Sequence, residues 1–341
     1  MNSWHGFWSL LYILTKHVCV YIYYIIYADA QSVGVCYGML GKPLPPPNEV
    51  VSLYKSKNIS RLRLYAPHVG ALNALRGSGI EVIVGTPNEE LKVLATSKDA
   101  AANWVKTNVR PYWPDVKFRY IAVGNEVIPV PFAEYVLPAM QNIYNALGDD
   151  LRGTIKVSTA VHMVIVGDSY PPSKGAFSQA SLTYMKPIAR FLVDTGAPLL
   201  LNVYPYFAHR DNPKDISLKY ATFTSPNAVV FDGPLSYQNL FDAMVDSVYS
   251  ALQKAGAANV PIVVSESGWP SAGGPAASVD NARTYNTNLI KHVKNGTPKR
   301  PGPLETYIFA MFNENKKDGA ETEKHFGLFY PNKEPVYPIT F

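Results

Sequence analysis

The chain has 341 residues, a formal net charge of +5, and 47% hydrophobic against 17% charged residues. That is ordinary globular material, long enough for two average domains or for one α/β barrel. Lys and Arg are scattered, with no basic run longer than a pair such as Lys316-Lys317, so the positive balance does not describe a nucleic-acid surface and no nucleic-acid partner is expected.

Residues 1–30 are nearly free of charge and hold two apolar stretches, Phe7 to Thr15 and Val18 to Tyr27, ahead of Ala28-Asp29-Ala30. An A-x-A ending before Gln31 reads as a signal peptide with its cleavage site, so a secreted, extracellular or cell-wall protein is expected, with no stable membrane association once the leader is removed. An uncleaved membrane anchor is the alternative, because early basic residues are missing and Lys16-His17 interrupt the apolar run. Cleavage removes Cys19 and leaves Cys36 alone on a short apolar strand. A disulfide framework is thereby excluded, and Cys36 reads as a small core residue. Asn58-Ile59-Ser60 and Asn295-Gly296-Thr297 are acceptor sequences for N-glycosylation in a secreted chain. The end of the chain, Val336 to Phe341, carries no apolar tail, so no lipid anchor is expected.

Beyond residue 30, short strand-like runs alternate with longer stretches whose apolar residues recur every three or four positions. Strands are predicted at 32–38, 59–66, 81–87, 117–125, 154–160, 198–206, 260–266 and 306–313, and helices at 49–57, 69–76, 90–109, 132–147, 182–195, 237–254 and 279–295. Eight strands with helical crossovers are the count of a (β/α)8 TIM barrel, read as one domain over 31–341. Gly77-Ser78-Gly79, Gly148-Asp149-Asp150 and Gly196-Ala197-Pro198 are glycine stops between a helix and the next strand. The segments leaving the strands are longer and rich in Pro, Tyr, Ser and Gly, as in Val166 to Ser178 and Tyr204 to Phe231. That asymmetry places function at the carboxyl face of the barrel.

The doubly wound nucleotide-binding sheet lacks its G-x-G-x-x-G after the first strand. His68, His162, His209, His292 and His325 show no short ligand spacing, so neither a catalytic metal nor another cofactor is expected. The residues at the strand ends are instead carboxylates, amides and rings: Tyr65, Asn125 and Glu126, Tyr204 and Phe207, Glu266 and Trp269, Asn313 and Glu314. Sugars present dense hydroxyls and flat C–H faces, which such a set recognises. Glycosidic cleavage needs one protonated carboxyl and one ionised carboxylate, and Glu126 and Glu266, each at the end of a buried apolar run, supply a candidate pair. The competing reading is that each glutamate is a structural partner of a nearby Arg or Lys.

The stretch Ile262-Val263-Val264-Ser265-Glu266-Ser267-Gly268-Trp269-Pro270-Ser271 resembles the signature of the family 17 glycoside hydrolases, the plant endo-1,3-β-glucanases and their 1,3-1,4-β-glucanase relatives. The resemblance extends through Val33 to Gly38, Leu62-Arg63-Leu64-Tyr65, Ile121 to Glu126, Asn202-Val203-Tyr204-Pro205-Tyr206 and Phe309 to Asn315. It implies a (β/α)8 barrel, a retaining mechanism, and a linear β-glucan as partner of a monomeric enzyme. It also implies Glu126 as general acid and base, Glu266 as nucleophile, and Asn125 as the contact to the sugar 2-hydroxyl. Glu314, Lys317 and Glu323 match a supporting charged cluster, and Tyr65, Tyr204, Phe207 and Phe312 match cleft positions. Core packing is the alternative for each ring, and most evenly for Phe312. Ala66 departs from the Asp found in many relatives, and His162 to Asp168 is bulkier than the usual small-residue loop. The resulting expectation is an endo-1,3-β-glucanase, with a 1,3-1,4-β-glucanase or a glucan-binding wall protein of low activity as alternatives.

Overall fold

The computed structural model describes residues 33–341, so the leader read at 1–30 lies outside the described residues. Eight strands close a parallel barrel in chain order: β1 Val33–Cys36, β2 Arg61–Leu64, β3 Glu81–Thr86, β4 Lys117–Asn125, β5 Lys156–His162, β6 Leu199–Asn202, β7 Ile262–Ser267 and β8 Thr306–Ile308. The ring is sealed by β1 pairing with β8, Val33 opposite Thr306. Both faces of these strands are covered, one by the barrel interior and one by helices, which is why they read as near-continuous apolar runs.

Each predicted helix is present, with boundaries set by local caps. The stretch read as one helix over 90–109 is two, Leu91–Thr96 and Lys98–Asn108, because extended Ser97 caps the second by accepting the Ala100 N–H. The helix predicted from 182 starts at Gln179, behind the cap Ser178, and the one predicted from 237 starts at Leu240, behind Asn239, whose side chain accepts the Asp242 N–H. Helix Ala133–Leu147 shows the burial periodicity that marked it, with Val136, Met140, Ile143 and Leu147 inward.

The predicted strand at 198–206 stops at Asn202, because Pro205 opens a short helix, Pro205–Asp211, at the position where its missing N–H costs nothing. After β5 and β6, segments read as loops contain two antiparallel hairpins, Val166–Asp168 with Ala176–Phe177 and Val230–Asp232 with Leu235–Tyr237. They are tied together by Asp232, which accepts from the Ser173 N–H at 2.7 Å and its hydroxyl at 2.6 Å.

Strand β2 reads Arg-Leu-Arg-Leu, and its alternation puts both arginines inside the barrel at different heights. Arg61, at the amino end, joins a floor of charge: it bonds Glu81 at 2.8 Å, Arg119 bonds Glu81 at 3.0 Å and Glu305 at 2.9 Å, and the Tyr307 hydroxyl donates to Glu305 at 2.9 Å. Arg63 lies two residues nearer the carboxyl end, about 6–7 Å along the strand, and belongs to the site.

Candidate active site

Glu126 and Glu266 are delivered to the carboxyl face by irregular strand ends. The β4–β5 pairing shifts register between Ala122 and Asn125, and the β7–β6 pairing between Val264 and Glu266. A bulge bends a strand and re-aims the side chain after it, and one precedes each glutamate. Gly124 at φ 77° and Glu126 at φ 58° turn the chain through left-handed backbone. For a glutamate that conformation costs about 1–2 kcal/mol, offset by the surrounding fold.

Arg63 connects the pair. Its Nη1 donates to Glu266 Oε1 at 2.8 Å, to Asn202 Oδ1 at 3.1 Å and to the Ser265 carbonyl at 3.0 Å, while Nη2 donates to Asn125 Oδ1 at 2.8 Å. The other oxygen of Glu266 accepts the Tyr204 hydroxyl at 2.6 Å. Asn202 Nδ2 donates to Glu126 Oε1 at 2.8 Å and to Asn125 Oδ1 at 3.1 Å. A guanidinium presents its donors in a rigid planar fork, so one side chain fixes three side-chain partners and a backbone carbonyl at once. The structural reading of Glu266, pairing with an arginine, is thus true without excluding a chemical one.

The two carboxyls differ in surroundings. Burial, followed by the negative charge of Glu266, pushes Glu126 from 4.5 up to about 7, against the pull of Asn202, Arg63 and Lys317. Glu266 has both oxygens engaged by donors that orient it. One group is suited to holding a proton near neutrality and the other to presenting an anchored oxygen.

The sign of the Glu126 shift carries a stability prediction. A folded-state value above the ordinary one favours the fold while the group is protonated, and that contribution is lost as pH rises through about 7. Glu126→Gln keeps the acceptor for Asn202 and stays neutral. A rise from 4.5 to about 7 corresponds to about 3 kcal/mol at most, and solvent in the cleft trims this to about 1–2 kcal/mol. The variant is expected to melt several degrees above wild type at pH 8 and level with it at pH 4, by calorimetry across pH.

Around the pair lies a cavity of about 1000 Å³, lined among others by Tyr65, Asn125, Glu126, Tyr204, Phe207, Glu266, Glu314, Lys317 and Glu323. Lys317 bonds Glu323 at 3.0 Å and sits over the Phe309 ring at 4.4 Å. Burial raises Glu314, opposed by its bond from the Leu40 N–H and by Lys317. Gly38 lies opposite it, and a Cβ there would stand 2.4 Å from the Glu314 carboxyl and displace it. The charged cluster expected beside the pair is therefore assembled in one place.

Phe312 is corrected: at 1% exposure it is absent from the cleft lining and packs edge-on against Tyr37, on the core side. Trp269 is likewise fully buried, with its indole N–H on the Ala276 carbonyl, and Asn313 accepts the Gly327 N–H. The core packing held open as the alternative for this ring is the one observed, and the predicted strand over 306–313 ends at Ile308.

Sequence reasoning assigned no role to Arg63, Asn202, Phe309 or Phe326. The signal for Arg63 was an arginine alternating with leucine on an otherwise buried strand. Phe309 and Phe326 join Tyr65, Tyr204 and Phe207 in one belt, with successive ring centroids 6.2, 5.8, 5.6 and 5.4 Å apart. Asn58 and Asn295 are both exposed; the Thr297 hydroxyl of the second acceptor sequence is buried and donates to Asp246.

Comparison with known proteins places this site among relatives. The chain is 58% identical over 319 residues, 92% of its length and 86% of the relative's, to the basic vacuolar isoform of glucan endo-1,3-β-glucosidase from Nicotiana tabacum. It is 58% identical, over 92% of its length and 85% of the relative's, to a glucan endo-1,3-β-glucosidase of Pisum sativum. Among solved structures, CJP38, a β-1,3-glucanase and pollen allergen of Cryptomeria japonica, superposes with a TM-score of 0.89 at 51% identity, covering 91% of this chain and 99% of that one. A plant β-glucan endohydrolase, one of two solved with distinct substrate specificities, gives a TM-score of 0.88 at 51% identity, covering 90% and 100%. The model of one family matches residues 33–341, the whole of the barrel and both glutamates, and the chain belongs to the glycosyl hydrolases family 17.

Proposed function

We propose that the chain is an endo-1,3-β-glucanase that cleaves with retention of configuration. The observation that carries this reading is the Arg63-centred set, which holds Glu266 and leaves Glu126 with a proton near neutrality. Glu126 gives its proton to the glycosidic oxygen as a Glu266 oxygen bonds to the anomeric carbon and the leaving sugar departs. Glu126, now ionised, takes a proton from water, whose oxygen displaces Glu266 from the same carbon. Two inversions return the original configuration. Asn125 Oδ1 is occupied by Arg63 and Asn202, so its Nδ2 faces outward as a donor suited to a sugar 2-hydroxyl. The cavity of about 1000 Å³ exceeds a single sugar, in keeping with attack within a chain. The 1,3 linkage is taken from the relatives' activity. The leader-like residues 1–30 support export, whereas the tobacco relative is a vacuolar isoform.

Purified mature chain is expected to release laminari-oligosaccharides from laminarin faster than any product from mixed-linkage 1,3-1,4-β-glucan. Faster release from the mixed-linkage polymer would overturn the linkage, and no release from either would overturn the enzyme. The alkaline limb of kcat/KM should fall tenfold per pH unit above about 7, where Glu126 loses its proton.

A further inference from the structure

The cleft wall that follows β2 holds a histidine whose proton has a fixed place. His68 caps helix Val69–Leu75, its Nδ1 accepting the Ala71 N–H at 3.1 Å. A ring nitrogen that accepts carries no proton, so this imidazole is neutral and its proton sits on Nε2. The side chain is exposed and lines the cleft, and among the described residues Nε2 has no protein partner. Of the residues leading from β2 into the cleft, Ala66 and Pro67 have no polar side-chain atom, and the Tyr65 hydroxyl is buried. Nε2–H is therefore the side-chain donor that this wall presents to a ligand. It is a neutral donor, matched to a neutral hydroxyl, and its ring is already held at the opposite nitrogen, so little rotamer freedom is lost when it binds. His68 makes no hydrogen bond to Glu126, Glu266 or Arg63, which separates it from the bond-breaking centre.

We infer that His68 is a specificity-determining residue, donating from Nε2 to a hydroxyl of a β-glucan unit remote from the cleaved bond and thereby favouring longer chains. The inference rests on the glucan reading above and concerns a residue which that reading does not use.

His68→Ser tests it, because serine retains the helix cap but is too short to reach the ligand. A melting temperature near that of wild type is expected, with KM for laminarihexaose raised about five- to tenfold, the loss of one neutral hydrogen bond. KM for the shortest oligosaccharide cleaved should move much less. His68→Asn, which keeps both a cap oxygen and an amide donor, should recover part of the loss. Equal KM ratios for short and long oligosaccharides would overturn the inference. As a separate readout, 15N spectra of the inactive Glu266→Gln protein should show the Nε2–H form, with the Nε2 resonance moving on addition of laminarihexaose. A resonance unmoved at saturation would also overturn it. Absence of turnover by the unchanged chain would instead count against the glucanase reading, leaving the resonance shift to decide on His68.

Discussion

Glu266→Gln is expected to lower turnover of laminarin by a factor on the order of 10⁵, the scale seen when a nucleophile is removed. Its effect on folding should be small, because the amide oxygen still accepts from Arg63 and the amide nitrogen can donate to the Tyr204 hydroxyl, preserving both contacts. Glu266→Ala is the harsher change: it leaves the guanidinium of Arg63, 1% exposed, without its anionic partner. That variant should lose several kcal/mol of stability as well as activity, since an unpaired buried charge costs about 3–5 kcal/mol. Alanine nevertheless opens room for an added nucleophile. With azide and an activated β-glucoside, Glu266→Ala should yield the α-glycosyl azide, because azide attacks once from the face the carboxylate occupied. Glu126→Ala should yield the β-glycosyl azide, because Glu266 first forms the glycosyl-enzyme and azide then displaces it. The opposite pattern, read by NMR of the products, would exchange the two roles.

The legibility of these features in the sequence follows from their physical range. Buried parallel strands announce themselves as short apolar runs, so all eight barrel strands were visible, and Glu126 and Glu266 stood out because each ends such a run. Boundaries were less visible where one side chain decides them. Ser97 divides one apparent helix by offering its hydroxyl to the Ala100 N–H, and Pro205 ends the run after β6 by starting a helix. Periodicity cannot weigh a cap against continued pattern. Phe312 was placed in the cleft by resemblance alone, and a matched position does not say which way its ring turns; here the ring packs in the core against Tyr37. Arg63 was missed because its meaning depends on residues 62, 139 and 203 positions away. A buried cation is expensive alone and stable when paired, and only the closed barrel brings its acceptors together.

Arg63 is for this reason the position at which the second large effect is expected. Arg63→Met would leave the Glu266 carboxylate, itself 6% exposed, with Tyr204 as its remaining hydrogen-bond donor and would free Asn125 and Asn202 to reorient. About 3–5 kcal/mol of stability should be lost, with turnover per folded molecule down on the order of 10²–10³ because the pair loses its spacing. Arg63→Lys separates charge from geometry. An ammonium restores the positive charge but cannot donate in one plane to Glu266, Asn202 and Asn125, so most stability should return while turnover stays about ten- to a hundredfold low. Recovery of both in the lysine variant would mean that charge alone matters. The control lies two residues back on the same strand: Arg61 bonds Glu81 in the barrel floor and contacts neither glutamate of the pair. Arg61→Met should lower the melting temperature yet leave kcat of the folded fraction near that of wild type. A matching fall in kcat would show that the floor and the site are one coupled network, which the separation of about 6–7 Å between the two arginines along β2 argues against.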